Sequence, residues 1–391
     1  MGEIASGLDG ILVATTRTSR VDGKAGELTI GGFPVERLAP RARFEEVIFL
    51  LWEGRLPTEA EYKSLSAALA TCRTLPRETL LLLRRAARHN LHPMDALRIG
   101  AAALPLGEDD PRAETREANA ARARTLVAAF PTLAAAYARL LAGEEPVEPD
   151  PSLGHVANYL YMLEGRHPEE HAVRALETYL NTVVDHGMNA STFTARVIVS
   201  TRSDMTSAVV GAIGALKGPL HGGAPGPALD MVFEIQRRAR ASGTPVAAEA
   251  RRWAEETIGG GERIMGFGHR VYEVRDPRAE VLDATAARLF SEREDATLYR
   301  DARSVERTLL DALARHKPER RLQTNVEFYT ALVLHGIGLP ADLFSPTFAI
   351  ARVGGWTAHV LEQIEEDRLI RPRAMYVGDE DRRWVPLEQR T

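Results

Sequence analysis

From Phe44 to Leu313 the apolar residues of this chain return at intervals of three and four, a period that commits most of it to helix. Phe44, Val47, Ile48 and Leu51 mark one such face, with Pro57 as its stop. Leu80 to Leu83, followed by Arg84, Arg85 and Arg88, predicts a helix with a basic outer side. Val305, Leu309, Leu310 and Leu313 predict another before Lys317-Pro318. Strand signal is confined to the ends. Ile11 to Ala14 and Leu28 to Ile30 flank Asp22-Gly23 and predict a small N-terminal hairpin, and Met375 to Val377 predicts one more short strand. No βαβ alternation is present, which argues against a doubly wound sheet.

Ser203 to Leu216 predicts a helix of small residues, with Ala208, Gly211, Ala212, Gly214 and Ala215. Small side chains let a second helix approach closely, in a core or at a subunit interface. Gly218-Pro219 ends that helix, so His221 falls just beyond a buried helix end. Residues 104–120 and 143–153, rich in proline and acid, and 239–247, with Gly243 and Pro245, read as connections.

At 391 residues the chain can form two or three domains, or a large one with a sub-domain. A net charge of −5 gives no footprint for nucleic acid or an anionic membrane. Cys72 is the single cysteine, which rules out an intrachain disulfide and multi-cysteine zinc and fits a reducing compartment. The N-terminal residues carry no charged segment followed by an apolar run, and apolar stretches such as Val209 to Leu216 are too short to span a bilayer. The expected location is cytoplasmic.

Three histidines stand in glycine-bearing segments: His186 in Asp185-His186-Gly187, His221 in Gly218-Pro219-Leu220-His221-Gly222-Gly223, and His269 in Gly266-Phe267-Gly268-His269. Glycine beside a titratable group permits close approach of backbone or ligand. His221 is either a satisfied turn residue or a neutral imidazole donating to an oxygen as charge develops. His269 follows a glycine loop whose N–H groups could hold phosphate; the loop lacks the preceding strand and third glycine of a dinucleotide fingerprint. Beyond His186, Asn189 or Ser191 can cap a helix. Glu327, between Val326 and Phe328, is either a helix N-terminal glutamate or a carboxylate whose raised pKa suits it to deprotonate carbon acids. Arg352 lies in an apolar stretch and needs an anion; with Arg278 and Arg371 it suits a di- or tricarboxylate. His167-Pro168-Glu169-Glu170-His171 has a zinc-peptidase spacing. Pro168 suits the first helical position, however, which leaves His167 outside the helix of His171.

These segments resemble the citrate synthase family along nearly the whole chain. The likeness begins at Gly7-Leu8-Asp9-Gly10 and at Phe44 to Gly54. It is densest from Asp185 to Gly223, resumes at Ile264 to Arg278 and Asn325 to Tyr329, and closes at Arg371-Pro372. The resemblance implies a mainly α homodimer. Its large helical domain would be formed by residues 1–221 and 333–391, and a smaller helical domain, 222–332, would be inserted in it. It implies condensation of acetyl-CoA with oxaloacetate and hydrolysis of citryl-CoA, without metal or cofactor. By position, His221, His269 and Glu327 would be catalytic. His186, Arg278 and Arg352 would grip oxaloacetate, with Arg371 reaching in from the partner subunit. Arg263, Ile264, Gly266, Gly268 and Arg270 would contact CoA. Two alternatives stand beside this: a 2-methylcitrate synthase using propionyl-CoA, and a weakly active paralogue that binds CoA or dicarboxylate. Three departures bear on the choice. Glu327 stands where the family has aspartate. Gly187-Met188 replaces a common Glu-Leu. Ala224 and Pro225-Gly226-Pro227 replace Asn-Glu after Gly223.

Overall fold

The computed structural model of the chain describes residues 5–8, 10–221, 225–269, 271–291 and 296–390. A small antiparallel sheet opens the fold: β1 (Ser19–Asp22), β2 (Glu27–Ile30) and β3 (Phe33–Pro34), paired in that order with Ser19 opposite Ile30. The hairpin therefore forms around Asp22-Gly23 as expected, but its first strand is Ser19–Asp22 and not Ile11 to Ala14. Asp22 fixes this register, because its carboxylate accepts from the Lys24 and Ala25 amides and closes the turn at that point. Met375 to Val377 is exposed, and it joins no ladder among the described residues. Apolar, β-favouring residues make a strand only where a second strand takes up their backbone groups.

The rest is helical. The first group comprises α1 (Val35–Leu38), α2 (Phe44–Glu53), α3 (Glu59–Thr71), α4 (Arg77–Arg88), α5 (Pro93–Ala103), α6 (Arg116–Leu141), α7 (His155–Glu164), α8 (Glu170–Val183), α9 (Ala190–Val199) and α10 (Met205–Leu216). Then follow α11 (Pro225–Ser242), α12 (Val246–Gly259), α13 (Pro277–Ser291), α14 (Ala296–His316), α15 (Val326–Gly336) and α16 (Phe344–Glu366). Local chemistry sets the ends. Gly54 closes α2 in the left-handed region, three residues before Pro57. Thr58 and Glu61 form a capping box for α3, and Thr115 caps α6, so the connection read at 104–120 ends at residue 115. Likewise α11 runs on to Ser242, which shortens the connection read at 239–247. The helix of His171 begins at Glu170, later than Pro168 suggested, and His167 stays outside it.

α16 organises the core. It is buried from Pro346 to Val360 and packs on α2, α6, α8, α9 and α10. Gly354 and Gly355 allow this, since a β-carbon at Gly355 would lie 2.4 Å from the Val184 carbonyl oxygen and one at Gly354 would lie 2.3 Å from Ile48 Cδ1. The chain at Asp185-His186 is thereby pressed against α16. The small-residue helix α10 packs on α9, where a β-carbon at Gly211 would meet Ile198 Cδ1 at 2.3 Å. Between α10 and α16, helices α11 to α15 pack on one another: α12 on α14, α13 on α15, and α11 on both α12 and α15. α13 and α15 also touch α8, and α11 touches α16. Among the described residues no helix is long and apolar enough to cross a membrane.

Candidate active site

Five elements meet at the predicted residues. His186 follows α8, and Arg352 lies mid-way along α16. His221 sits in the turn after α10, where its N–H donates to the Gly218 carbonyl. Arg278 begins α13 behind Pro277, and Glu327 lies in the first turn of α15, where Asn325 caps its N–H at 3.0 Å.

Arg352 is 2% exposed, and its Nε and Nη1 have no hydrogen-bond partner among the described residues. Phe348, one turn earlier, faces the guanidinium at 4.8 Å. Burial, opposed by the Asp185 carboxylate, pulls the Arg352 pKa down to about 10, so it stays a cation, with no ion-pair contact among the described residues. His186 is buried beside it. Burial first, then the Arg278 and Arg352 charges, hold its pKa well below the usual imidazole value, and the ring is neutral. Its Nε2 is 3.1 Å from the Tyr272 hydroxyl, and its ring centroid is 5.6 Å from that of His269.

His269 is held through Nδ1, which accepts from the backbone N–H of Val271 at 2.9 Å and of Tyr272 at 3.1 Å. That leaves the ring proton on Nε2. Arg278 Nη2 lies 3.3 Å from this Nε2. Both groups are donors, so together they offer a place for an oxygen acceptor. Burial and then Arg278 lower the His269 pKa to about 4. Asp276 fixes Arg278 by a two-pronged contact, 3.0 Å to Nε and 2.8 Å to Nη2, and also accepts from the Val326 N–H.

Glu327 is partly open at its surface, but its carboxyl is withdrawn from water. Burial, opposed by the Arg278 and Arg352 charges, raises its pKa to about 7. It is thus both a helix-start glutamate and a carboxyl poised to take a proton near neutrality. His221 accepts through Nε2 from the Ser191 N–H at 3.3 Å, and the Ser191 hydroxyl is 2.8 Å from the same nitrogen. Burial and then Arg352 lower its pKa to about 4.

The glycine loop has a structural cause. Gly266 and Gly268 adopt φ of +86° and +79°. The Gly268 N–H donates to the Gln323 carbonyl at 2.7 Å, the Asn325 N–H to the Gly266 carbonyl at 3.0 Å, and the Asn325 side chain to the Gly268 carbonyl at 2.8 Å. A β-carbon at Gly266 would crowd Phe328 at 3.1 Å. The His269 loop and the start of α15 are therefore zipped into one unit. Of the other predicted contacts, Arg263 is exposed and Ile264 buried, while Arg270, Gly222 and Gly223 lie outside the described residues. Arg371 is exposed in the segment after α16.

Sequence reading missed Tyr272, Asp276, Ser191 as a histidine partner, and Trp356. Asp276 had a signal in Asp276-Pro277-Arg278, a carboxylate two residues before an arginine.

A base near neutrality, neutral imidazoles and a guanidinium lacking its anion fit proton transfer and carbon–carbon bond chemistry on carboxylate substrates, carried on an all-helical frame. Comparison with known proteins narrows this class. Residues 7–373 match the family model for the citrate synthase C-terminal domain. The chain is 41% identical to citrate synthase of Haloferax volcanii over 392 residues, covering 100% of both chains. It is 39% identical to 2-methylcitrate synthase of Mycobacterium tuberculosis over 380 residues, 97% of this chain and 92% of that one. The structure of the ternary complex of carboxymethyl coenzyme A and oxaloacetate with citrate synthase from Thermoplasma acidophilum matches with a TM-score of 0.89 at 31% identity, covering 100% of each chain. The chain belongs to the citrate synthase family.

Proposed function

We propose that this chain joins the methyl carbon of acetyl-CoA to the ketone carbon of oxaloacetate and hydrolyses the resulting citryl-CoA to citrate and CoA. Arg352 carries the reading: a buried cation with two nitrogens unpartnered among the described residues, within electrostatic reach of a carboxyl held near pH 7. In this mechanism Arg352, Arg278 and His186 hold oxaloacetate. Glu327 takes a proton from the acetyl methyl group while His221, through Nδ1–H, stabilises the negative charge growing on the thioester oxygen. The enolate carbon then bonds to the ketone carbon, and the ketone oxygen takes its proton from His269 Nε2 or is hydrogen-bonded by it. Water cleaves the thioester of citryl-CoA and releases CoA as the thiol. Side chains supply both acid and base, and no metal or cofactor takes part.

The chemistry needs water kept out until condensation is complete. Helices α11 to α14 and the first turns of α15, in the segment 222–332, form the proposed smaller domain that closes over the substrates. The loop from Arg263 and Ile264 through Gly266 and Gly268 to Arg270 is assigned to CoA. The chain works as a cytoplasmic homodimer, with Arg371 reaching the oxaloacetate site of the partner subunit. The exposed C-terminal segment supports this, since Tyr376, Val377, Trp384 and Leu387 are all at least 69% exposed.

A second reading is synthesis of 2-methylcitrate from propionyl-CoA, favoured by the Mycobacterium tuberculosis relative. One methylene changes binding by only about 1–3 kcal/mol, so the test is direct. Thiol release is measured from acetyl-CoA and from propionyl-CoA, each with oxaloacetate, and the two kcat/KM values are compared. Preference for acetyl-CoA supports the proposal; preference for propionyl-CoA replaces it with the second reading. No release from folded, oxaloacetate-binding protein leaves a binding paralogue, with the longer Glu327 in the base position as the cause.

A further inference from the structure

We infer that Trp356 is a positioning residue that sets which nitrogen of His221 carries the proton. The inference rests on the synthase reading above. Trp356 is fully buried on α16, one turn after Arg352, and its indole N–H donates to the Ser191 hydroxyl oxygen at 3.1 Å. An indole N–H can only donate, so it occupies a lone pair of that oxygen. The single hydroxyl proton then has two acceptors within reach, His221 Nε2 at 2.8 Å and Asn189 Oδ1 at 2.7 Å.

Asn189 is already committed. Its Oδ1 accepts from the N–H of Ser191 at 3.2 Å and of Thr192 at 3.1 Å. Its Nδ2 donates to the Gly187 carbonyl and the Thr192 hydroxyl, which fixes the orientation of the amide. A third donor would overfill the two lone pairs of Oδ1. The Ser191 hydroxyl proton therefore goes to His221 Nε2, which also faces the Ser191 N–H at 3.3 Å. With Nε2 accepting, the proton of the neutral ring is confined to Nδ1.

The alternative array turns the Ser191 hydroxyl to Asn189 and puts the His221 proton on Nε2. It places Nε2–H against the Ser191 N–H, donor to donor, and leaves only a lone pair on Nδ1. Such a ring repels a developing oxyanion. Donation from Trp356 polarises the Ser191 hydroxyl and strengthens its bond to Nε2. One helix thus serves both substrates: Arg352 faces the carboxylate substrate, and one turn on Trp356 readies the donor for the thioester.

The test is Trp356→Phe in the full-length chain. Three quantities are read: the ¹⁵N imidazole shifts of His221, assigned by their absence in His221→Gln; oxaloacetate binding by calorimetry; and thiol release from acetyl-CoA. The expected wild-type spectrum shows Nδ1 protonated and Nε2 bare. In the variant the two forms mix and kcat falls about tenfold, while oxaloacetate affinity holds. A wild-type His221 protonated on Nε2 overturns the inference without any variant. So does a variant that loses kcat with its shifts unchanged, since the loss then comes from packing. A wild type that releases no thiol fails the synthase reading separately, and its shifts still report on the Trp356 contact.

Discussion

The two sides of the site are built from different material. His186, Arg352 and the Ser191–Trp356 pair behind His221 lie on or beside α8, α9 and α16, helices packed so closely that α16 needs Gly354 and Gly355 at the contact. His269, Arg278 and Glu327 lie in a glycine loop and in the first turns of α13 and α15. Their support is ionic. Glu306, on α14, accepts from Arg275 at 2.9 Å and Thr324 at 2.7 Å with one oxygen, and from Tyr329 at 2.6 Å and Arg303 at 3.2 Å with the other. The packed side leaves a cation, Arg352, with no ion-pair contact among the described residues. The loop side satisfies its own charges through Asp276 and Glu306. An unpaired buried charge is a binding device, because an incoming anion relieves the cost of its burial. A self-satisfied unit can shift as one body without exposing such a charge, which suits groups that must close on a reacting bond.

Glu327→Gln removes the base and is expected to lower kcat by about 10³-fold with oxaloacetate binding retained. A variant with near-normal kcat would take the chemistry away from the loop side. Arg352→Leu should weaken oxaloacetate about 100-fold, the loss of charged hydrogen bonds, with a smaller change in kcat at saturation. A fall confined to kcat would erase the division between binding and chemistry. Glu306→Gln should cost about 3 kcal/mol in unfolding experiments, as for a broken buried ion pair, and lower kcat about tenfold. Unchanged kcat despite that destabilisation would make Glu306 a fold residue only.

Two pH profiles sharpen the contrast with smaller effects. The log of kcat/KM should rise with pH and level off above about 7, as Glu327 ionises while His221 and His269, near 4, stay neutral. An inflection near 4 instead would move the base role off Glu327. On the packed side, burial disfavours the His359 cation, but the Asp185 and Glu362 carboxylates outweigh it and raise its pKa to about 9. A folded pKa above the unfolded value of about 6.5 gives stability that is complete below that value and lost as pH rises through 9. The unfolding midpoint should fall across that window in the wild type, and this slope should shrink in His359→Asn.

Much of the fold was legible. Periodicity at Phe44 to Leu51 and at Val305 to Leu313 marked helices that are present, because a 3.6-residue apolar stripe has few other uses. The hairpin turn was legible at Asp22-Gly23, yet its first strand was not. Ile11 to Ala14 has strand-like composition, but pairing belongs to the residues adjoining the turn. Site residues were legible where an odd residue broke its surroundings, as Arg352 does among apolar neighbours. Tyr272 and Trp356 were not, since an aromatic residue in a helical protein reads as core until its polar atom is seen to meet a partner.

By itself the sequence determined the helical period, a cap beyond His186 at Asn189 or Ser191, the turn at Asp22-Gly23 and the resemblance that named the family. These rest on local backbone preference and on residues a few positions apart, which a linear reading can see. Only the tertiary structure decided that Arg352 is buried with no ion-pair contact among the described residues, that burial raises the Glu327 pKa to about 7, and that Ser191 and Trp356 stand behind His221. Burial and hydrogen-bond direction are set by segments far apart in the chain, and both fix the charge and proton position of a group that its neighbours in sequence leave open.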